Sequence, residues 1–193
     1  MNEILNALME DIQFVDIMCS DILTENKSSK NGFYGTNGKW NSLVQINGKN
    51  YRERVEILVI QNDAVFIAKY KDDGSYKIPG GSTEKDKTLI QQVIAECEEE
   101  ANFTPKNVKF TTEYRVDYTK NNPCPFNQDH LPIKYDGYVA KVYVGEYASE
   151  YTKYVELVDR DVIVKSGKFI PIKDALKFVR PEHKNVLQKY LKK

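Results

Sequence analysis

Apolar positions recur at helical spacing in two stretches of the chain and at strand spacing through most of the rest. In residues 3–24, Leu5, Leu8, Met9, Ile12, Val15 and Ile22 follow one another along a single helical face, with acids between them. The pattern predicts an amphipathic helix. Its apolar face needs cover, supplied either by the sheet of the same chain or by a second copy in a homodimer. Residues 25–39 are polar, include Lys27-Ser28-Ser29-Lys30-Asn31-Gly32, and read as a loop or linker.

From residue 40 onward the period shortens. Strands are predicted over residues 40–46, 55–60, 64–70, 109–118 and 137–147, with short ones at 162–164 and 169–172. Asn47-Gly48 supplies the residues a type I′ hairpin turn demands, and Gln61-Asn62-Asp63 and Asp72-Asp73-Gly74 mark further turns. Residues 119–132 contain Asn122-Pro123-Cys124-Pro125 and read as a long irregular loop, the kind of insertion that often carries function. Helical spacing returns after Gly80-Gly81, where Leu89, Ile90, Val93, Ile94, Cys97 and Ala101 form one stripe. Thr88 stands at the N-cap with Gln91 three residues later, a capping-box pattern. Short helices close the chain at 173–178 and near 183–191. The order helix, strands, helix, strands, helices predicts an α+β fold with a mixed sheet between helices. The expected division is an N-terminal helix and linker over residues 1–39 and the main domain over 40–193.

Composition narrows the function classes. The chain has 193 residues, enough for one domain with a real core. Its 28 Lys+Arg balance 28 Asp+Glu, and that neutrality argues against a nucleic-acid binder, which needs a basic excess. Cys19, Cys97 and Cys124 are widely spaced and form no CxxC pair, so the expectation is a reduced, cytoplasmic protein without a zinc or disulfide framework. His130 and His183 lack metal-ligand spacing. No signal-peptide pattern and no membrane-spanning apolar run is found.

The chemistry concentrates in residues 80–103. Glu96, Glu99 and Glu100 lie at i, i+3 and i+4, on one helix face turned away from the apolar stripe. Like charges at this spacing repel, and a divalent cation reverses the sign. Oxygen-only ligands favour Mg²⁺, with Mn²⁺ as a substitute. A solvated acidic face is the plain alternative. The preceding Pro79-Gly80-Gly81, which lets backbone approach a ligand closely, favours the metal.

At these residues the sequence resembles the Nudix hydrolase family, whose box reads G-x5-E-x7-R-E-U-x-E-E-x-G-U, with U a bulky apolar residue. With Gly81 as the first glycine, Glu96, Cys97, Glu99 and Glu100 match E, U, E and E, and Phe103 matches the final U. Lys87 stands in place of the first Glu, Ala95 in place of Arg, and Asn102 in place of Gly. Asn tolerates the left-handed conformation needed there. Lys87 and Ala95 remove two residues that support the loop and orient the glutamates in the family.

The resemblance implies an α/β/α sandwich with a mixed sheet, preceded here by the N-terminal helical extension. It implies metal-dependent hydrolysis of the diphosphate linkage in a nucleoside diphosphate derivative, with Glu96, Glu99 and Glu100 as catalytic metal ligands for Mg²⁺ or Mn²⁺. Gly80, Gly81, Arg54 and Arg115 are the expected substrate contacts, and Arg52 is a further cation nearby. Tyr114, Tyr118 and Tyr135 flank the long loop and can stack on a base, although core packing accounts for most tyrosines. His130 lies in the loop. The general base stays open among Glu146, Glu150 and Glu156. The expected partner is a small nucleotide rather than nucleic acid or membrane. The alternative is a weakened or inactive domain that binds a nucleotide or a protein partner.

Overall fold

The computed structural model describes residues 31–69, 76–147 and 167–191. The helix expected over 3–24, the turn at 72–74 and the strand at 162–164 lie outside the described residues. So do Glu150 and Glu156.

A small hairpin comes first. β1 (Gly32–Tyr34) pairs antiparallel with β2 (Trp40–Ser42). β1 falls inside the stretch predicted as linker, because three residues, Gly-Phe-Tyr, are too few to register as a strand pattern. The predicted strand 40–46 divides into β2 and β3 (Val44–Ile46). Asn47 and Gly48 then turn the chain with φ of 51° and 76°, as a type I′ turn requires, into β4 (Lys49–Gln61).

β4 organises the molecule. It continues through Asn62, at φ 54°, into β5 (Ala64–Lys69). β6 (Tyr76–Lys77) and β7 (Gly80–Ser82) follow, then α1 (Leu89–Ala101), β8 (Lys106–Asp117) and β9 (Gly137–Glu146). β10 (Lys168–Pro171), α2 (Ile172–Ala175) and α3 (Pro181–Leu191) complete the order. Among the described residues the main sheet is eight-stranded with the path β10-β5-β4-β9-β8, and β3, β6 and β7 attach beside it. β4 and β9 run parallel from Tyr51↔Gly137 to Ile60↔Glu146, while the other named pairings are antiparallel. The sheet is therefore mixed, as predicted.

Successive β4 side chains go to opposite faces. Val55, Ile57 and Val59 join Leu89, Val93 and Cys97 of α1 in one core. Leu58 joins Ile67, Val142, Val186 and Leu187 of α3 in the other. Among the described residues α1 covers one face of the sheet and α2 and α3 pack on the other, which gives the α/β/α sandwich. No helix among the described residues is long and apolar enough to cross a membrane.

Candidate active site

The site is built where β7 meets α1. Thr88 caps the helix: its side chain accepts from Gln91 N–H, and Gln91 reaches back to Thr88 N–H at 2.9 Å. At the other end Asn102 is left-handed, at φ 61° and ψ 33°, and stops the helix. Between these caps α1 carries the glutamates past Gly80 and Gly81.

The three glutamates meet three environments. Glu100 is 4% exposed, and its Oε2 accepts the Gly80 N–H at 2.9 Å. Glu96 is half-buried, and its carboxylate lies so close to Gly81 that a Cβ there would overlap it. Glu99 is exposed. The face read from spacing as uniformly polar thus turns inward at Glu100, because β7 packs against that edge of the helix. Gln92, 2% exposed, donates from Nε2 to Glu96 Oε1 at 2.8 Å, and its own Oε1 has no hydrogen-bond partner among the described residues. Lys87 is bound to Glu84 at 3.0 Å, in a pair partly open to solvent, and Ala95 offers no polar atom.

This arrangement accommodates a hard divalent cation. Glycine at 81 leaves the space at the Glu96 carboxylate that a side chain would fill, and the Gly80 N–H holds Glu100 Oε2 at the same loop. Among the described residues no group of three His, Cys, Asp or Glu is gathered closely enough to form a ready metal cage. Mg²⁺ ordinarily takes one or two carboxylates and completes its shell with water and substrate phosphate, so the donor set fits that ion.

The opposite face of β4 holds a second polar cluster beside the same glycines. Arg54 donates to the Gly80 carbonyl at 3.2 Å, and its guanidinium lies 5.7 Å from the Tyr138 ring centre. Glu56, 5% exposed, accepts from the Tyr114 hydroxyl at 2.7 Å and meets His183 Nε2 at 3.3 Å. Burial pushes the Glu56 carboxyl up, but His183, Arg54 and Tyr114 together outweigh it and hold the carboxyl below its ordinary range. His183 is 3% exposed, and its Nδ1 has no partner among the described residues.

Other predicted residues fall elsewhere. Arg115 stacks 5.5 Å from the ring of Tyr51 and pairs with Asp117 at 3.8 Å, placing it on the Tyr51 face of the sheet, away from Arg54. Tyr114 belongs to the Glu56 cluster, and Tyr135 gives its hydroxyl to the Ser42 carbonyl at 2.7 Å, so both serve packing and hydrogen bonding. Tyr118 lies 6.3 Å from Tyr138 between ring centres. His130 is exposed. Cys97 is fully buried on the apolar stripe, and burial pushes its thiol far up, which makes it packing rather than reactive. Glu146 ends β9 at the Ile60 end, accepts from Asn107 at 2.8 Å, and borders a shallow depression with Asn62 and Lys109 that contains no box residue.

Gln92, Glu56 and His183 escaped the sequence reading. One signal was available for Glu56: a carboxylate inside a strand otherwise reading as buried is unusual unless paired. Its partner is 127 residues away, and nothing local announces it.

A family model described as NUDIX domain matches residues 46–190. A nucleoside triphosphate pyrophosphatase/Nudix hydrolase fusion protein from Bifidobacterium longum is 33% identical over 89 residues, which is 44% of this chain and 17% of that protein. The chain thus spans about a sixth of that relative's length. A NUDIX hydrolase structure from Nitrosomonas europaea superposes with a TM-score of 0.57 at 16% identity, over 72% of this chain and 88% of the other. The NUDIX domain of Shewanella oneidensis NrtR, solved with ADP-ribose, gives a TM-score of 0.55 at 13% identity, covering 74% and 87%. These structural likenesses show the fold.

Proposed function

Because the chain belongs to the NUDIX domain family, we propose that it hydrolyses the diphosphate linkage of a nucleoside diphosphate derivative with a divalent metal ion, Mg²⁺ or Mn²⁺. The observation that supports this most is the pair of carboxylates, Glu96 and Glu100, held against Gly80 and Gly81. In this reading Glu96 and Glu100 hold the ion directly, and the exposed Glu99 acts through water in its shell. When bound, it neutralises phosphate charge and lowers the pKa of a coordinated water.

The chain's own residues do the positioning. The Gly80 N–H fixes Glu100, and the Gln92 amide fixes Glu96. Arg54 ties down the Gly80 carbonyl from the opposite face of β4 and sets the edge along which the substrate lies. Catalysis then rests mainly on orientation and charge stabilisation.

A second reading is favoured by one specific feature. Lys87 is engaged with Glu84 and Ala95 is apolar, so neither supplies the support the box usually has. In that reading the domain binds a nucleotide or a partner without turnover.

The test is a panel of nucleoside triphosphates, ADP-ribose, nucleotide sugars and dinucleoside polyphosphates, each with Mg²⁺, Mn²⁺ or EDTA. Cleavage that requires metal and falls about a hundredfold or more in Glu99→Gln and Glu100→Gln is expected. No cleavage of any panel member by folded protein would overturn the hydrolase reading and favour the binding one.

A further inference from the structure

Arg52 stands two residues before Arg54 on the same face of β4, about 6.6 Å away along the strand. It is aligned with Tyr138 in the parallel ladder and lies 5.2 Å from the ring centre of Phe126, a residue of the long loop. Among the described residues no carboxylate pairs with it and no hydrogen bond leaves its guanidinium. The charges around it are unfavourable: desolvation and the neighbouring Arg54 both work against its positive charge.

A partly buried cation beside a second cation, without a counter-charge, is costly to maintain. A guanidinium stacked on an aromatic ring keeps its in-plane N–H donors directed outward, in the fork that matches phosphate oxygens. The Arg52 guanidinium lies over the Phe126 ring. The row begins at the box, since Arg54 already touches Gly80, and Arg52 extends it away from the glutamates toward the long loop.

We propose that Arg52 and Arg54 form a subsite for a phosphate group of the substrate beyond the pair held at the glutamates. It follows that the substrate is a nucleoside polyphosphate, with three or more phosphates in its chain, rather than a nucleotide sugar whose distal group is uncharged. Phe126 and Tyr118 border the subsite. This rests on the hydrolase reading for its reaction, but the subsite itself is measured by binding.

The experiment is calorimetric titration of the full chain with a non-hydrolysable analogue of ATP and, separately, of ADP-ribose, each with Mg²⁺ so that the glutamate site is loaded and nothing turns over. Wild-type protein is expected to bind the ATP analogue about tenfold tighter than the ADP-ribose analogue, as charge-assisted bonds to one extra phosphate imply. Arg52→Gln is expected to weaken the ATP analogue about tenfold while leaving the ADP-ribose analogue within about twofold. Arg52→Lys, which keeps the charge but loses the fork, falls between. Equal affinity of the wild type for both ligands, no binding of the ATP analogue at millimolar concentration, or unchanged affinity for it in Arg52→Gln overturns the proposal. So does a lowered melting temperature in Arg52→Gln with that affinity retained, because Arg52 is then structural. Turnover is read separately with ATP, ADP-ribose and Mg²⁺: an Arg52-dependent preference for the ATP analogue without any cleavage sinks the hydrolase reading and leaves the anion subsite standing.

Discussion

Gly81 has room for no side chain, since a Cβ there overlaps the Glu96 carboxylate. Gly81→Ala must therefore displace Glu96 or tilt β7, and metal-dependent hydrolysis is expected to fall about a hundredfold in a protein that still folds, because misplacing a ligand by an ångström has such costs. Gln92 tests the same carboxylate from the other side. It supplies a donor to Glu96 where Ala95 and Lys87 supply none. Gln92→Ala is expected to raise the half-saturating Mg²⁺ concentration about 10–100-fold, the usual penalty for losing a residue that orients a metal ligand. An unchanged Mg²⁺ requirement would show that Glu96 needs no such support. Glu56 makes a different prediction, in pH. Its folded carboxyl titrates below the reference value of 4.5, so its contribution to stability is complete above that value and is lost as pH falls through the folded pKa. Denaturant unfolding of wild type and Glu56→Gln is expected to show a stability gap at neutral pH that narrows under acid. A gap that is constant with pH would mean the carboxylate charge contributes nothing.

At the scale of elements, α1 was the most legible because its limits are written locally. Thr88, Gln91 and Asn102 each act within one turn of their own position, and the structure shows the capping box and the left-handed C-cap in place. Asn102→Ala places a Cβ in that left-handed position and is expected to cost about 1–2 kcal/mol, whereas Asn102→Gly is neutral or slightly stabilising. Urea unfolding of both variants checks the contrast. The strands were legible in place but less so in extent: the apolar core of β4 was evident, while its start at Lys49 was hidden by Arg52, Glu53 and Arg54. Those charges look like loop residues until their partners are known. Glu53, for example, is neutralised by Lys141 at 3.2 Å on the parallel neighbour β9. The glutamates of the box were legible as a group, but their division into buried, half-buried and exposed was not, since the burial comes from β7 rather than from α1 itself.

At the scale of the molecule, the α/β/α layering followed from the order of elements, but the pairing of β4 with β9 did not. That ladder joins residues more than eighty positions apart, and no local pattern encodes it. Its consequence is mechanical as well as topological. β4 sends Val55, Ile57 and Val59 into the core under α1 and Leu58 into the core under α3, so the two cores share one backbone. They should melt together. Leu89 of α1 and Leu187 of α3 are both fully buried, one in each core. Leu89→Ala and Leu187→Ala are each expected to cost about 2–5 kcal/mol, through lost burial and the cavity left behind. Because the sites lie on opposite faces, in separate core clusters, the double variant should show the sum to within about 0.5 kcal/mol. Guanidinium unfolding followed both by far-ultraviolet circular dichroism and by Trp40 fluorescence measures this. Coincident single transitions in every variant are expected if β4 couples the faces. Two separated transitions in Leu187→Ala, with the α1 face persisting after α3 is lost, would show instead that the layers are stabilised independently.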